Sequence, residues 1–387
     1  MKTIKLFLFV FVSVILFSNC NKNANNIAKI KEQGNFECFP EGTVKEDGEC
    51  CLNCETSAVA YYNDKIFMAI DKVYPDHSPV FYTDYNRNSI LEEKPPYQEG
   101  PIFYAKYTQA FNPKKINILE NKKLQEARKF EDFTLTPDNK YILLSTAFNR
   151  IDPKYNMLLA WDTKNNKAIN IISPSVDENG FISSIKIHKN ISKILFNNTD
   201  KENYFKIEGL AAIPGNKFLF GVREQGKSYT DFDYCIKIIQ VTYTIENDII
   251  KLNDDFKLIY NYHPEKNLNL ELPIALSSIE YDKFNDRLYL LTSYEHSDTD
   301  TGVGAYLWTL PIEKLYKNLP PELVLKDDNK PLLFAHKSEG ISVLDKKTVF
   351  IINDDDRILG RADITDPERQ FFRKPNQTSY YIVRFRN

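Results

Sequence analysis

The chain is organised around the stretch KIEGLAAIPGNKFLFGVR, residues 206–223, whose pattern recurs along most of its length. The pattern is an acid, a small residue, a short apolar strand, a polar turn and a second apolar strand ending in charge. The other copies are ETSAVAYYNDKIFMAID at 55–71, EDFTLTPDNKYILL at 131–144, SSIEYDKFNDRLYLLTS at 277–293 and SEGISVLDKKTVFIIND at 338–354. One such hairpin cannot bury its apolar face alone, so five copies indicate a repeat architecture.

The segments between the copies predict a β-propeller. Residues 155–161 and 167–172 alternate apolar and polar side chains, and with the copy at 131–144 they give four antiparallel strands, as in one blade. Further strands are predicted at 235–243, 256–262, 304–310, 332–335 and 379–385.

A hairpin at 182–197 predicts a degenerate sixth copy, because its Ser-Ser-Ile resembles the start of the copy at 277. The predicted fold class is therefore all-β, a six-bladed propeller with five clear blades and one degenerate blade. Residues 311–320, with a proline at each end, predict one short amphipathic helix and the only one in the chain.

The first 19 residues predict an export signal. Lys2 and Lys5 precede an apolar run too short to be a spanning helix, and Cys20 follows where a bacterial lipoprotein carries its lipidated cysteine. This predicts a lipid-anchored protein of the bacterial cell envelope, on its periplasmic or surface face; a plain secretory signal is the alternative. The predicted domains are a signal peptide 1–19, a lipidated tether 20–37, a cysteine-rich cap 38–54 and a propeller 55–387.

Four cysteines lie together in the predicted cap. In an exported chain Cys38, Cys50, Cys51 and Cys54 indicate two disulfides. A zinc site is the alternative, because Cys51 and Cys54 have the C-x-x-C spacing of metal ligands. Cys235, in an apolar strand, is predicted to be a buried, unpaired thiol.

Charge distribution and motif content limit the classes of function that the sequence supports. The net charge of −3 is balanced along the chain and gives no basic stripe, so nucleic acid is not an expected partner. The sequence contains no G-x-S-x-G, H-E-x-x-H, P-loop or G-x-G-x-x-G motif.

The repeat places acids and arginines at equivalent positions near the channel. Four of the copies have an acid where the first strand begins; these leading acids are Glu55, Glu131, Glu208 and Glu339, and the copy at 277 has Ser277 in this position. Candidate metal ligands are Glu55, Glu131, Glu208, Glu339, Asp354 and Asp355. Candidate ligand-binding residues are Arg150, Arg223, Arg357 and Asn353, and candidate catalytic residues are Glu131, Glu208, Glu339 and His336.

Two roles are open for these residues. Converging carboxylates bind a hard cation such as calcium through oxygen, and arginines bind phosphate or carboxylate through forked hydrogen bonds. Alternatively, the leading acids accept backbone N–H bonds from neighbouring blades and join the ring.

Residues 207–211, IEGLA, and 338–341, SEGI, with the charged ends of their second strands, resemble the phytase-like propeller family, which is described as having esterase-like activity. The resemblance implies a secreted six- or seven-bladed propeller and a phosphoesterase-like hydrolase. Two function classes follow: a calcium-assisted phosphoesterase that binds a small anionic ligand, or a non-catalytic surface propeller that binds a protein or glycan.

Replacing the predicted lipidated cysteine tests the anchor. We expect Cys20→Ser to move the protein from the membrane fraction to the soluble fraction, because the variant cannot be acylated. Fractionation with immunoblotting measures the distribution, and unchanged membrane partition with normal signal cleavage would contradict lipidation.

Overall fold

The computed structural model of the chain describes residues 26–85, 116–197, 203–264, 268, 270–295, 302–356, 358–360 and 372–386. These residues form five antiparallel sheets arranged in a ring, the five-bladed form of a β-propeller. The first strand of each blade packs against the first strands of both neighbours, and blade 5 packs in this way against blade 1. The predicted fold class, an all-β propeller, is confirmed. No helix in the described ranges has the length and apolar character needed to cross a bilayer.

Each blade contains the two strands of one sequence copy and strands from elsewhere in the chain. Blade 1 consists of Thr56–Tyr62, Lys65–Ile70, Val80–Asp84 and Asn117–Ile118. Blade 2 consists of Phe130–Leu135, Tyr141–Thr146, Leu158–Asp162 and Asn165–Ile171. Blade 3 consists of Tyr204–Ile213, Lys217–Ser228, Asp231–Glu246, Ile249–Leu252 and Lys257–Tyr262. Blade 4 consists of Ala275–Asp282, Arg287–Glu295, Val303–Pro311, Glu322–Leu323 and Leu333–Phe334. Blade 5 consists of Ser338–Asp345, Thr348–Asn353, Gln377–Phe385 and Ala28–Glu37.

The ring is closed by the N-terminal strand. Ala28–Glu37 pairs antiparallel with Gln377–Phe385 as the outermost strand of blade 5. Phe36 is fully buried there, with its ring centroid 4.7 Å from that of Tyr380. Residues 28–37, expected in the tether, are thus part of the propeller. Their apolar pattern is weak because only alternate residues of this edge strand face inward.

The predicted sixth blade is wrong for the part of the chain that the structure describes. Most of the segment expected to form its hairpin is the helix Ile185–Leu195, which buries Ile187, Ile191 and Leu195 against blades 2 and 3. The four-residue spacing of these side chains is helical, and one helical face accounts for them better than a strand does. The helix predicted at 311–320 is present as Ile312–Tyr316.

The remaining elements outside the blades are short. They are the helix Lys122–Glu126, the 3₁₀ turn Pro153–Tyr155 and the strand pair Ser175–Val176 and Ile182–Ser183.

The apolar core lies between the blades. Five clusters of buried side chains fill the interfaces between neighbouring blades, one cluster to each interface. Trp161 lies between blades 1 and 2, and Trp308 lies between blades 3 and 4. The first strands are also packed closely, because a Cβ on Gly340 would lie 2.9 Å from the Ser57 carbonyl oxygen of the next blade. This contact explains the small residue that follows the leading acid.

Side chains within the channel join the first strands. Asp132 accepts hydrogen bonds from Leu210 N (2.8 Å) in blade 3 and from Ser278 Oγ (3.0 Å) in blade 4. Ser342 Oγ similarly accepts a bond of 2.9 Å from Tyr61 N. Burial raises the pKa of Asp132 well above its usual value, although its hydrogen bonds oppose the shift. Asp132 and Ser342 therefore join first strands deeper in the channel than the leading acids.

The predicted disulfides are confirmed, and the structure gives their pairing. Cys38 is bonded to Cys54, and Cys50 is bonded to Cys51. The first bond connects the end of the closing strand to the start of blade 1 across a separation of 16 residues, a loop whose closure stabilises a fold by about 3 kcal/mol. This pairing leaves none of the four thiols for zinc, and Cys235 is a buried free thiol as predicted.

Candidate ligand site at the channel mouth

The four leading acids lie at one end of the channel, here called the mouth. Glu55, Glu131, Glu208 and Glu339 are each 5% exposed or less. They meet because every first strand starts at the mouth and runs away from it. Their convergence was predicted from the repeat, and the structure adds that they are buried and not open to solvent.

A lysine two residues before the acid accompanies three of the four leading acids. Lys206 bonds Glu208 and also lies 3.5 Å from Glu131 Oε1 of blade 2. Lys337 Nζ lies 3.0 Å from Glu339 Oε1 in blade 5. Residues i and i+2 of a strand face the same side, so a Lys-x-Glu sequence brings the two charges together. The sequence carries this signal at 129–131, 206–208 and 337–339, but sequence reasoning missed it.

Arg223 joins blades 3 and 4 across the mouth. Its Nη1 lies 3.1 Å from Glu208 Oε2 and donates hydrogen bonds of 2.9 Å to Ser277 Oγ and to Ser293 Oγ. The serine that begins the fourth copy therefore has a physical role, because its hydroxyl accepts from the arginine of the neighbouring blade. Arg223 is buried among carboxylates, which raise its pKa further despite the opposing effect of burial.

Of the other two predicted arginines, Arg150 is the one that the structure describes, and it forms no ion pair with a leading acid. Arg150 is exposed and stacks on the Tyr155 ring at 4.6 Å, and Arg357 lies outside the described residues. A different arginine, Arg373, is buried and donates to the Asp356 carbonyl oxygen (2.7 Å) and to Asn53 Oδ1 (3.0 Å). It comes from the segment before the third strand of blade 5, where no repeat pattern pointed to it.

His336 lies behind the mouth inside blade 5. Its Nδ1 is 2.6 Å from Asp355 Oδ2 and 3.0 Å from Ser379 Oγ. A serine nucleophile would require Nε2 to face the hydroxyl while Nδ1 faces the acid, whereas here both partners contact one nitrogen. Asn353 is also buried in this blade and accepts a 2.6 Å hydrogen bond from Ser338. This geometry favours structural roles for His336, Asp355 and Asn353.

Three buried carboxylates at the mouth converge without a full set of partners. Glu55, Asp71 and Asp354 each place one oxygen within 4.8 Å of the other two. Glu55 Oε2 and Asp71 Oδ1 accept no hydrogen bond of ordinary geometry from the described residues, although Lys72 Nζ lies 2.9 Å from Glu55 Oε2. The sequence predicted Glu55 and Asp354 as metal ligands but missed Asp71, the last residue of the first copy.

The pKa values of these acids differ because their neighbours differ. Burial, and then the charge of Asp71, raises the pKa of Glu55 to about 7. Burial alone would raise the pKa of Asp71, but Lys129 and Lys72 lower it to about 2. Burial and the nearby Asp356 raise the pKa of Asp354 well above its usual value. A cation bound among the three carboxylates would reduce the electrostatic repulsion between them.

The same imbalance extends around the mouth. Burial raises the pKa of Glu131 to about 8, and the two nearby lysines offset only part of that shift. Carboxylates outnumber lysines and arginines among the described mouth residues. The carboxylates are those of Glu55, Asp71, Glu131, Glu208, Glu224, Glu339, Asp354, Asp355 and Asp356, and the cations are Lys72, Lys129, Lys206, Arg223, Lys337 and Arg373.

Blade 3 carries an aromatic hairpin that extends past the mouth. Its strands continue beyond the leading acid Glu208, so Tyr204 pairs in register with Gly226. Tyr229, at the tip, is 68% exposed and packs edge-on to Tyr204 at 6.2 Å. Tyr234 lies lower on the hairpin, with its ring 5.2 Å from the Arg223 guanidinium. The hairpin therefore places aromatic faces beside the buried charges.

Comparisons with known proteins found distantly similar solved structures but no family. No family model matches the chain, and no curated protein matches it, so the resemblance to phytase-like propellers stays a prediction. Solved structures with a similar fold include a member of the DUF4221 family from Bacteroides vulgatus, at 10% identity and a TM-score of 0.36, covering 95% of this chain and 100% of that one. A glycosyl hydrolase from Bacteroides ovatus has 10% identity and a TM-score of 0.39, covering 93% and 96%. The catalytic domain of the GH62 α-L-arabinofuranosidase from Coprinopsis cinerea has 9% identity and a TM-score of 0.39, covering 92% and 98%.

Removing the Arg223 side chain tests how the mouth is held together. We expect Arg223→Met to lower the free energy of unfolding by about 3 kcal/mol, because it leaves Glu208 buried beside fewer cations. Adding Glu208→Gln to Arg223→Met should recover part of this loss. Denaturant unfolding measures both effects.

The exposed Arg150→Met is the matched control and should change stability by less than about 0.5 kcal/mol. If Arg223→Met were as stable as the control variant, the ion pair would not contribute to the fold.

Proposed function

We propose that the protein is an exported, lipid-anchored propeller that binds a glycan at the channel mouth. The observation that carries this proposal is the aromatic hairpin beside the charged mouth. Tyr229 and Tyr234 offer ring faces against which sugar C–H groups can pack, and the buried Arg223 and Glu224 support these rings from within the mouth. Tyr204 supports this arrangement by donating a hydrogen bond from its hydroxyl group to Glu224.

Binding fits the mouth better than general acid–base catalysis does. Glu131, Glu208 and Glu339 are almost fully buried, and each lies near a lysine or arginine. A substrate would have to break an ion pair and enter a packed region before it reached any of them. A ligand that rests on the hairpin and the rim of the mouth requires neither change.

The cluster Glu55–Asp71–Asp354 favours a second candidate function, calcium-assisted phosphoester hydrolysis. The cluster fits calcium, which takes six to eight oxygen ligands, because three carboxylates can supply up to about six oxygens and leave room for ligand oxygens. When bound, calcium would polarise a phosphoryl oxygen. Lys72 and Lys129 would hold the remaining phosphate oxygens, since both lysines already contact carboxylates of the cluster.

The proposal also includes a lipid anchor on Cys20 and a location in the bacterial cell envelope. Cys20 directly follows the predicted export signal and lies outside the described residues. The paired cysteines of the cap support an oxidising compartment such as the bacterial envelope.

Calorimetric titration with neutral oligosaccharides tests the glycan site. The mature chain carrying Cys20→Ser is titrated with xylo-, cello- and manno-oligosaccharides. We expect at least one series to bind and Tyr229→Ala to weaken it about fivefold, since one aromatic contact is worth about 1 kcal/mol. Phe284→Ala, which removes an aromatic side chain 48% exposed in the turn between the first two strands of blade 4, should leave affinity unchanged. If no series binds at millimolar concentration, or if both variants behave alike, the glycan site is not on this hairpin.

Calcium titration tests the second candidate. We expect Asp354→Asn to abolish calcium binding, and Lys72→Met to strengthen it by removing a competing cation that is 49% exposed and able to move. Asp328→Asn, in a turn away from the mouth, is the control. Hydrolysis of p-nitrophenyl phosphate is measured on the same samples. Calcium binding that Asp354→Asn leaves intact would rule out this cluster, and calcium binding without hydrolysis would support a cation site in a binding protein.

A further inference from the structure

A basic cleft lies at the end of the propeller opposite the mouth. It has a volume of about 250 Å³, and its charged lining comes from Lys29, Lys31, Arg384, Arg386 and Asp327. Among the described residues of this lining, cations therefore outnumber acids. The cleft is separate from the charged mouth and from the aromatic hairpin.

The strand register brings like charges together in this cleft. Lys29 and Arg384 are direct partners in the antiparallel pair formed by the closing strand and the third strand of blade 5. Like charges opposite each other destabilise a sheet unless an anion lies between them. Asp327 lies 3.2 Å from Arg386 Nε, but this pair is exposed and weakly stabilising. The charge of the cleft thus suits an anionic ligand.

The topology shows which end of the propeller carries the cleft. Glu37, at the end of the closing strand, leads into the cysteine-rich cap near the mouth, so Ala28, at its start, lies at the far end. Six chain steps separate Cys20 from Asn26, and a fully extended chain spans at most about 22 Å over that length. A lipid on Cys20 would therefore hold the cleft end of the propeller close to the membrane.

We propose that this cleft binds the phosphate of an anionic phospholipid in the membrane that carries the anchor. The membrane's position rests on the lipid anchor proposed above, whereas the cleft itself does not. The basic site would add electrostatic attraction to the anionic membrane surface beside the lipid anchor. The propeller then stands with its cleft on the membrane, and the mouth faces away from the surface.

Vesicle sedimentation of the mature chain carrying Cys20→Ser tests the cleft without the acyl chains. We expect it to bind phosphatidylcholine vesicles containing about 30% phosphatidylglycerol more strongly than vesicles of phosphatidylcholine alone. The double variant Lys29→Glu/Arg384→Glu should lose at least about tenfold in partition, because each cation contributes to attraction by an anionic surface. The matched control, Lys122→Glu/Lys227→Glu, makes the same charge change at exposed positions outside the cleft.

Each other outcome overturns the proposal. Equal losses in the two double variants would indicate attraction through overall charge, and no preference for anionic vesicles would leave the cleft cations as ordinary edge-strand charges. Binding of inorganic phosphate at millimolar concentration in a calorimetric titration, without vesicle binding, would indicate a site for free phosphate. Thermal melts of all variants separate loss of binding from loss of fold. The outcome does not depend on glycan or calcium binding at the mouth, so this proposal and the proposed function can fail separately.

Discussion

The fold brings several acidic side chains together in one buried space, and the structure depends on compensating their negative charge. Each first strand of the propeller starts at the same end of a narrow axis, so a repeated leading acid places several carboxylates in one buried space. Removing charges from water is costly unless an opposite charge compensates for it. The chain supplies that charge locally through Lys-x-Glu sequences, and Arg223 supplies it between blades 3 and 4 by contacting Glu208 and Ser277. Deeper in the channel, Asp132 instead uses backbone and hydroxyl donors, and it joins three blades.

The mouth has two parts, which differ in how the acids are arranged relative to the cations. Around Glu131, Glu208 and Glu339 the acids lie near cations, and their main effect is to fix the strands that carry them. Around Glu55, Asp71 and Asp354, three acids converge within 4.8 Å of one another, which is the geometry of a cation site, although Lys72 and Lys129 contact two of these acids. The aromatic hairpin of blade 3 stands beside both parts and supplies the apolar contact that a purely ionic mouth lacks. A binding propeller with a cation position uses all of these features.

The repeat allowed much of the fold to be predicted, because five hairpins, each with two apolar strands around a polar turn, bury their apolar faces by packing against one another. The blade count could not be predicted, since Ile187, Ile191 and Leu195 fit a strand pattern until their four-residue spacing is weighed. The closing strand was missed because Ala28–Glu37 is an edge strand with few apolar residues. At the mouth the leading acids were found from their repeat position, whereas Arg373 was missed because it comes from outside every copy. Glu55 belongs to blade 1 and Asp354 to blade 5. These blades are neighbours only because the ring closes after five blades, so the contact between the two acids could not be predicted from the sequence.

Diffraction from crystals soaked in a calcium-like lanthanide such as terbium tests this division of the mouth most directly. The account predicts an anomalous peak bounded by Glu55, Asp71 and Asp354, with metal–oxygen distances of about 2.3–2.6 Å. It predicts no peak at Glu131, Glu208 or Glu339, where lysines and Arg223 occupy the space between the acids. A peak shared by those three glutamates, with their lysines displaced, would contradict the account, and so would a mouth without any bound ion at saturating concentration.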